Sequence, residues 1–262
     1  MIARLLIALL LLTASVPLQA IDLSRYTLVD LTHDFDEDTL YWPTSPSRFE
    51  KKPLAFGETE GGWFYSSNAI CTPEHGGTHF DAPIHFAADV ETAESVALNR
   101  LIAPAVVIDI SAQARKDRNY RLTVADIETF EADHGRIAPG TIVLLNAGWS
   151  RFWPDSRAYL GDDTPGDASR LSFPSYGADA ARLLIEERQV AQLGVDTASI
   201  DYGPSKTFPV HRIAAARNVG GLENLKGLDR LPPTGVTLLA LPMKIAGGSG
   251  GPLRAVALVP RD

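Results

Sequence analysis

The chain is poor in cysteine, in clustered basic residues and in long apolar runs. Cys71 is the only cysteine among 262 residues, so a disulfide framework is excluded and the fold must rest on its core. A lone thiol of this kind is expected as a small buried hydrophobe, although Cys71 stands four residues before a histidine cluster and thiolate is a good zinc ligand. No run of Lys or Arg stands out and the formal charge is −8, which argues against nucleic acid or an anionic membrane as partner. Beyond residue 20 no stretch is apolar enough to span a bilayer, and neither repeats nor low-complexity linkers occur. Residues 1–20 carry an apolar run from Leu5 to Leu12, Arg4 as the single charge, and a small residue, Ala20, just before the polar start at Asp22. That is a secretory signal peptide pattern, so a secreted or periplasmic protein is expected, free of the membrane once the signal is cleaved. Residues 21–262 then suffice for one domain with a sizeable core.

Apolar runs rich in valine and isoleucine predict strands at residues 105–110, 141–145, 192–195, 237–241 and 255–259. Their unbroken hydrophobicity suits strands covered on both faces. Thr123-Val124-Ala125-Asp126 resembles an N-terminal capping arrangement, with Ile127 and Phe130 following at helical spacing. A second helix is predicted over residues 176–188, and a third apolar-periodic piece after His211, running toward Val219 and broken by Gly220-Gly221. The N-terminal third reads as strand and loop, so the class is mixed α/β, a single domain with helices packed on sheets. Residues 41–46 and 247–252 read as Pro- and Gly-rich loops rather than linkers, either near a site or as ordinary surface turns. His134 reads as a plain loop residue, and His33 as either cavity-facing or on the surface.

Three of the six histidines fall within eleven residues, in Glu74-His75-Gly76-Gly77-Thr78-His79-Phe80-Asp81-Ala82-Pro83-Ile84-His85. Imidazole and carboxylate are the usual protein ligands for zinc and similar divalent ions, and three of them leave a position free for water. The glycines let the chain turn tightly enough to bring His75 and His79 to one ion. Asp81 shares a face with His79 if the stretch is extended. His85 is either a further ligand or the proton carrier beside an activated water, since histidine titrates near neutrality. A second ligand pair, His211 and Glu223, could converge from the start of a helix and the segment after it, although spacing alone makes this a weak signal.

The segment from His75 to His85 resembles the signature of the cyclase family of metal-dependent hydrolases, which includes bacterial kynurenine formamidases and isatin hydrolases. That signature is His, three residues, His, one residue, Asp, three residues, His. The likeness extends to Asp30-Leu31-Thr32-His33, Tyr41-Trp42-Pro43, the stretch from Gly194 to Asp201, His211 through Glu223-Asn224-Leu225, and Leu241-Pro242. It implies that His75, His79 and Asp81 bind a catalytic divalent metal, and that His85 is the acid/base. In binuclear members His211 and Glu223 would hold a second ion bridged by Asp81, so one or two ions, Mn2+ or Zn2+, are open. A compact β/β/α fold and a homo-oligomer, a dimer, are also implied.

The expected reaction is hydrolysis of an amide C–N bond in a small aromatic substrate, such as an isatin-type cyclic amide or an N-formylkynurenine-type formamide, by metal-activated water. Trp63, Phe64 and Phe80 are expected as substrate-binding walls, with Tyr65 beside them and Trp42 further upstream. The polar run Asp196, Thr197, Ser199 and Asp201 is where carboxylates could orient metal ligands from behind. Two other readings compete: a lactone hydrolase or cyclase with the same site, and a non-catalytic exported metal- or ligand-binding protein.

Overall fold

The structure, a computed structural model, describes residues 22–261, so the expected signal segment at residues 1–20 lies outside the described residues. Twelve strands alternate with short helices. In chain order the strands are β1 (Tyr26–Asp30), β2 (Glu50–Glu58), β3 (Phe64–Cys71), β4 (His79–Asp81), β5 (Ile102–Asp109), β6 (Arg121–Leu122), β7 (Ile142–Asn146), β8 (Ser175–Tyr176), β9 (Gln192–Val195), β10 (Gly220–Glu223), β11 (Val236–Pro242) and β12 (Gly250–Pro260). Among the described residues no helix is long and apolar enough to cross a membrane.

The five apolar runs became β5, β7, β9, β11 and β12 of one eight-stranded sheet in the order β1-β12-β11-β5-β7-β9-β10-β4. β5, β7, β9 and β10 run parallel, and β11 lies antiparallel to both β5 and β12. The sheet closes on itself because the three residues of β4 pair with both β10 and β12, making a barrel with β1 outside it on β12. Gly250 permits this closure, since a Cβ there would collide with the Phe80 carbonyl.

Alternation along each strand divides the core in two. Ile142 and Leu144 of β7 point into the barrel with Val107, Leu222, Leu238 and Ala255. Val143 and Leu145 point outward, under a helical layer that contributes Ile127, Phe130, Leu184 and Val210. Each such fully buried aliphatic side chain contributes about 1.5–3 kcal/mol.

The helix Val124–His134 begins as the sequence predicts: Thr123 Oγ1 accepts from the Asp126 amide, and the Asp126 carboxylate accepts from the Thr123 amide. His134 is the last residue of this helix rather than a loop residue. The helix predicted over residues 176–188 starts later, at Ala178, because Tyr176 is taken up by β8, and its second half, Leu183–Glu187, widens to a π-helix. The third helix, Pro209–Ala215, starts before His211 instead of after it, with Pro209 in its first turn. Residues 250–252, expected as loop, open β12. Cys71 ends β3 and is exposed, which corrects the expectation of a buried thiol; the hairpin β2–β3 is a separate two-stranded sheet and carries its end residues into solvent.

Candidate metal centre and its cavity

Four short segments converge at the barrel seam. Gly77, at φ +56° with a ring edge of Phe35 where a Cβ would lie, turns the chain between His75 and β4. On β4 the two-residue period puts His79 and Asp81 on one face and sends Phe80 to the other. Glu223 lies directly across the β10–β4 ladder from His79. His211 comes from the first turn of the helix Pro209–Ala215. That turn has no N-cap side chain of its own; the Asp201 carboxylate accepts from the Val210 and His211 amides, each at 3.1 Å.

Asp81 is the hub. Its Oδ1 lies 2.6 Å from His75 Nδ1 and 3.1 Å from His79 Nε2, and its Oδ2 lies 3.1 Å from His211 Nε2. Glu223 approaches from the other side, 3.3 Å from His211 Nε2 and 3.5 Å from His79 Nε2. His75, His79 and Asp81 form one group whose ligand atoms all lie within 4.8 Å of one another; Asp81, His211 and Glu223 form another. The histidines are held from behind. His211 Nδ1 donates to Asp201 Oδ2 at 2.8 Å, and His75 Nε2 meets Ser249 Oγ at 2.8 Å, which in turn donates to Glu74.

Burial opposes charge on all of these groups, and their neighbours decide the balance. Burial raises the Asp81 carboxyl, but the His75 and His79 charges and the His211 hydrogen bond hold it well below the usual carboxylate range. Burial and the Asp81 charge push Glu223 up. Burial lowers His79, yet Asp81 and Glu223 carry it up to about 9, and His211 is raised in the same way by Asp201, Asp81 and Glu223. Two buried carboxylates facing three imidazole rings are a donor set suited to a divalent cation, which would take over the neutralising role of the protons.

His85 differs. Its ring belongs to neither ligand group and makes no side-chain hydrogen bond among the described residues. Burial lowers it to about 4 against the opposing pull of Asp81, so it is a neutral imidazole at neutral pH.

The site forms the floor of a cavity of about 380 Å³. Its walls include Tyr41, Trp42, Phe86, Leu160 and Phe208. Phe208 stands 5.4 Å from Phe86 and 6.3 Å from Trp42 between ring centroids, an aromatic wall drawn from three separate segments.

The structure brings together His75, His79, Asp81, His85, His211 and Glu223. It does not bring the expected aromatic wall to them. Trp63 and Phe64 are 62% and 59% exposed on the β2–β3 hairpin and do not line the cavity. Phe80 is fully buried in the barrel interior, because the alternation that unites His79 with Asp81 turns it away. Trp42 does line the cavity, within the loop expected near a site. Asp201 orients His211, whereas Asp196 serves the backbone, accepting from the Ala147 amide at 2.8 Å and the Trp149 amide at 2.5 Å. Phe86 and Phe208 were missed as cavity walls; Phe86 directly follows His85 and Phe208 stands three residues before His211, which is the signal that could have found them. His33 is buried and stacks on Trp153 at 4.2 Å.

This arrangement has counterparts among known proteins. An isatin hydrolase from Roseibium aggregatum is 36% identical over 76% of this chain and 77% of its own length. A kynurenine formamidase from Sphingopyxis alaskensis is 28% identical over 82% of this chain and 90% of its own. The structure of isatin hydrolase A from Ralstonia solanacearum superposes with a TM-score of 0.80 at 35% identity, covering 90% of this chain and 93% of that one. The model of the Cyclase family, described as "Putative cyclase", matches residues 29–202, and the chain belongs to that family.

Proposed function

We propose that the chain is a metal-dependent hydrolase that opens the amide C–N bond of a small aromatic substrate, a cyclic amide of the isatin type ahead of an N-formylkynurenine-type formamide. One observation carries this reading: a single carboxylate, Asp81, is shared by two ligand groups on the floor of an aromatic-walled cavity. The greater identity to the isatin hydrolase than to the formamidase favours the cyclic substrate.

His75, His79 and Asp81 would hold one divalent ion, and Asp81, His211 and Glu223 a second, with Zn2+ or Mn2+ matching the donor set. When bound, such an ion lowers the pKa of water from about 15.7 toward about 7 and polarises a carbonyl oxygen. The chain's own groups do the rest. Trp42, Phe86 and Phe208 flank a planar ring and exclude water from it. His85, neutral and unbonded, takes a proton from the attacking water and returns it to the nitrogen as the C–N bond breaks.

Two further assignments complete the reading. The signal-like residues 1–20 support an exported protein. The β2–β3 hairpin supports a homodimer: an isolated two-stranded hairpin is marginal in water, yet this one exposes Leu54, Phe56, Trp63, Phe64 and Ile70. The deciding experiment is metal analysis of the purified protein with a substrate panel of isatin, N-formylkynurenine and an unsaturated lactone, with and without EDTA. Isatin ring-opening that is lost on chelation and regained with metal is expected. Turnover indifferent to chelation would overturn the mechanism, and bound metal with no turnover would point to a binding protein.

A further inference from the structure

Asn224 directly follows Glu223 and borders the cavity, yet both ends of its carboxamide are engaged elsewhere. Its Nδ2 donates to the Gly77 carbonyl at 2.7 Å, and its Oδ1 accepts from the Tyr159 hydroxyl at 3.0 Å. Its backbone is engaged too: the amide donates to the Thr197 carbonyl at 2.9 Å, and its own carbonyl accepts from Thr78 Oγ1 at 2.7 Å. This posture needs φ +54°, a left-handed conformation that Asn adopts more readily than most residues.

The Gly77 carbonyl also lies 3.0 Å from His79 Nδ1. A carbonyl can only accept, so Nδ1 carries a hydrogen and Nε2 is the nitrogen that faces Asp81 and Glu223. Gly77 belongs to a turn with a left-handed backbone, and its carbonyl direction is not fixed by a strand ladder. The Asn224 carboxamide fixes it. Tyr159, fully buried in the helix Ser156–Leu160, in turn fixes Asn224, sharing its one hydroxyl hydrogen between Asn224 Oδ1 and the Asp196 carbonyl.

We propose that Asn224, anchored by Tyr159, is a positioning residue of the metal centre: it holds the Gly77 carbonyl against His79 Nδ1 and so presents His79 Nε2 to the ion. The role rests on the metal-site reading above. It assigns to two residues outside both ligand groups a part in metal affinity, reaching from the outer helical layer to the barrel seam.

The test is the zinc dissociation constant of purified full-length protein, measured by competition with a chromophoric chelator, alongside the melting temperature of the metal-free form. Tyr159→Phe removes one oxygen and leaves the ring packed. Asn224→Gly removes the carboxamide and keeps the left-handed backbone unstrained. Tyr176→Phe is the control, an equally buried tyrosine whose hydroxyl bonds only the Val143 and Gly194 carbonyls. Outer partners of ligating histidines are typically worth 10–100-fold, so zinc affinity is expected to fall roughly tenfold in Tyr159→Phe and further in Asn224→Gly. Tyr176→Phe should lower the melting temperature without changing affinity. Wild-type affinity in Tyr159→Phe, or an equal loss in Tyr176→Phe, would overturn this role alone. A wild-type protein that takes up no zinc would overturn the metal centre with it.

Discussion

His85 lies face to face with His75, the ring centroids 3.8 Å apart and the planes 20° from parallel. The stack seats an unligated imidazole against the ligand group without adding it to that group. Replacing His85 with Gln should therefore lower kcat by about 10²–10⁴-fold while bound metal stays at the wild-type level, as read by elemental analysis. Loss of metal in this variant would move His85 into the ligand set.

The same residue predicts a pH profile. Burial lowers His85 to about 4, so it stays a neutral base across the neutral range and is lost as an acceptor only when pH falls through about 4. The acid limb of kcat/KM assigned to this group should lie well below the ordinary histidine value. A limb near 6.5 that disappears in His85→Gln would contradict the burial argument.

Asp81 belongs to both ligand groups, so Asp81→Ala should abolish tight metal binding altogether, whereas Glu223→Gln should spare the group of His75, His79 and Asp81. Metal content per chain separates the two. Retention of metal and activity by Asp81→Ala would show that the site is misassigned.

His33 should make the fold acid-sensitive. Burial, with Lys226 nearby, lowers it to about 4, and its Nε2 has no hydrogen-bond partner among the described residues. The unfolded chain takes up this proton near 6.5 and the folded one does not, so stability is lost as pH falls from about 6.5 toward about 4. His33→Phe, which keeps a ring against Trp153, should narrow the gap between melting temperatures at about pH 7.5 and about pH 4.5, removing a loss of at most about 3 kcal/mol. An unchanged gap would place the acid sensitivity elsewhere.

Phe56 is 81% exposed, and a surface substitution at such a position costs an isolated chain about 0.5 kcal/mol or less. In the proposed dimer Phe56→Asp should split the assembly to monomers at micromolar concentration and lower the melting temperature. Light scattering after size exclusion reads the mass directly. A wild-type monomer would remove the dimer assignment.

The sequence carried the strands that local composition specifies. β7 and β9 announced themselves because both of their faces are buried, which leaves no polar alternation to obscure them. His79 and Asp81 were legible as a pair by the two-residue period, and the same period, applied to Phe80, places it in the barrel. What could not be read was pairing at long range. That β4 joins β10 to β12 depends on segments 140 to 173 residues away along the chain, as in Asp81↔Gly221 and His79↔Pro252, with nothing local to signal it. Phe86 and Phe208 escaped as cavity walls for the same reason: they join Trp42 in one wall only once the barrel has closed. Asn224 was within reach only as part of the family likeness, because its partners Gly77 and Tyr159 are far away in sequence.

A seam only three residues long makes assembly of the site and completion of the barrel one event. Peeling β4 away would unpair two neighbouring strands and at the same stroke pull His79 and Asp81 from their companions. A half-zipped chain thus has no half-formed centre to offer. Any ligand that spans the junction acts as a rivet, raising the resistance of the whole domain to unfolding in proportion to how tightly it is gripped.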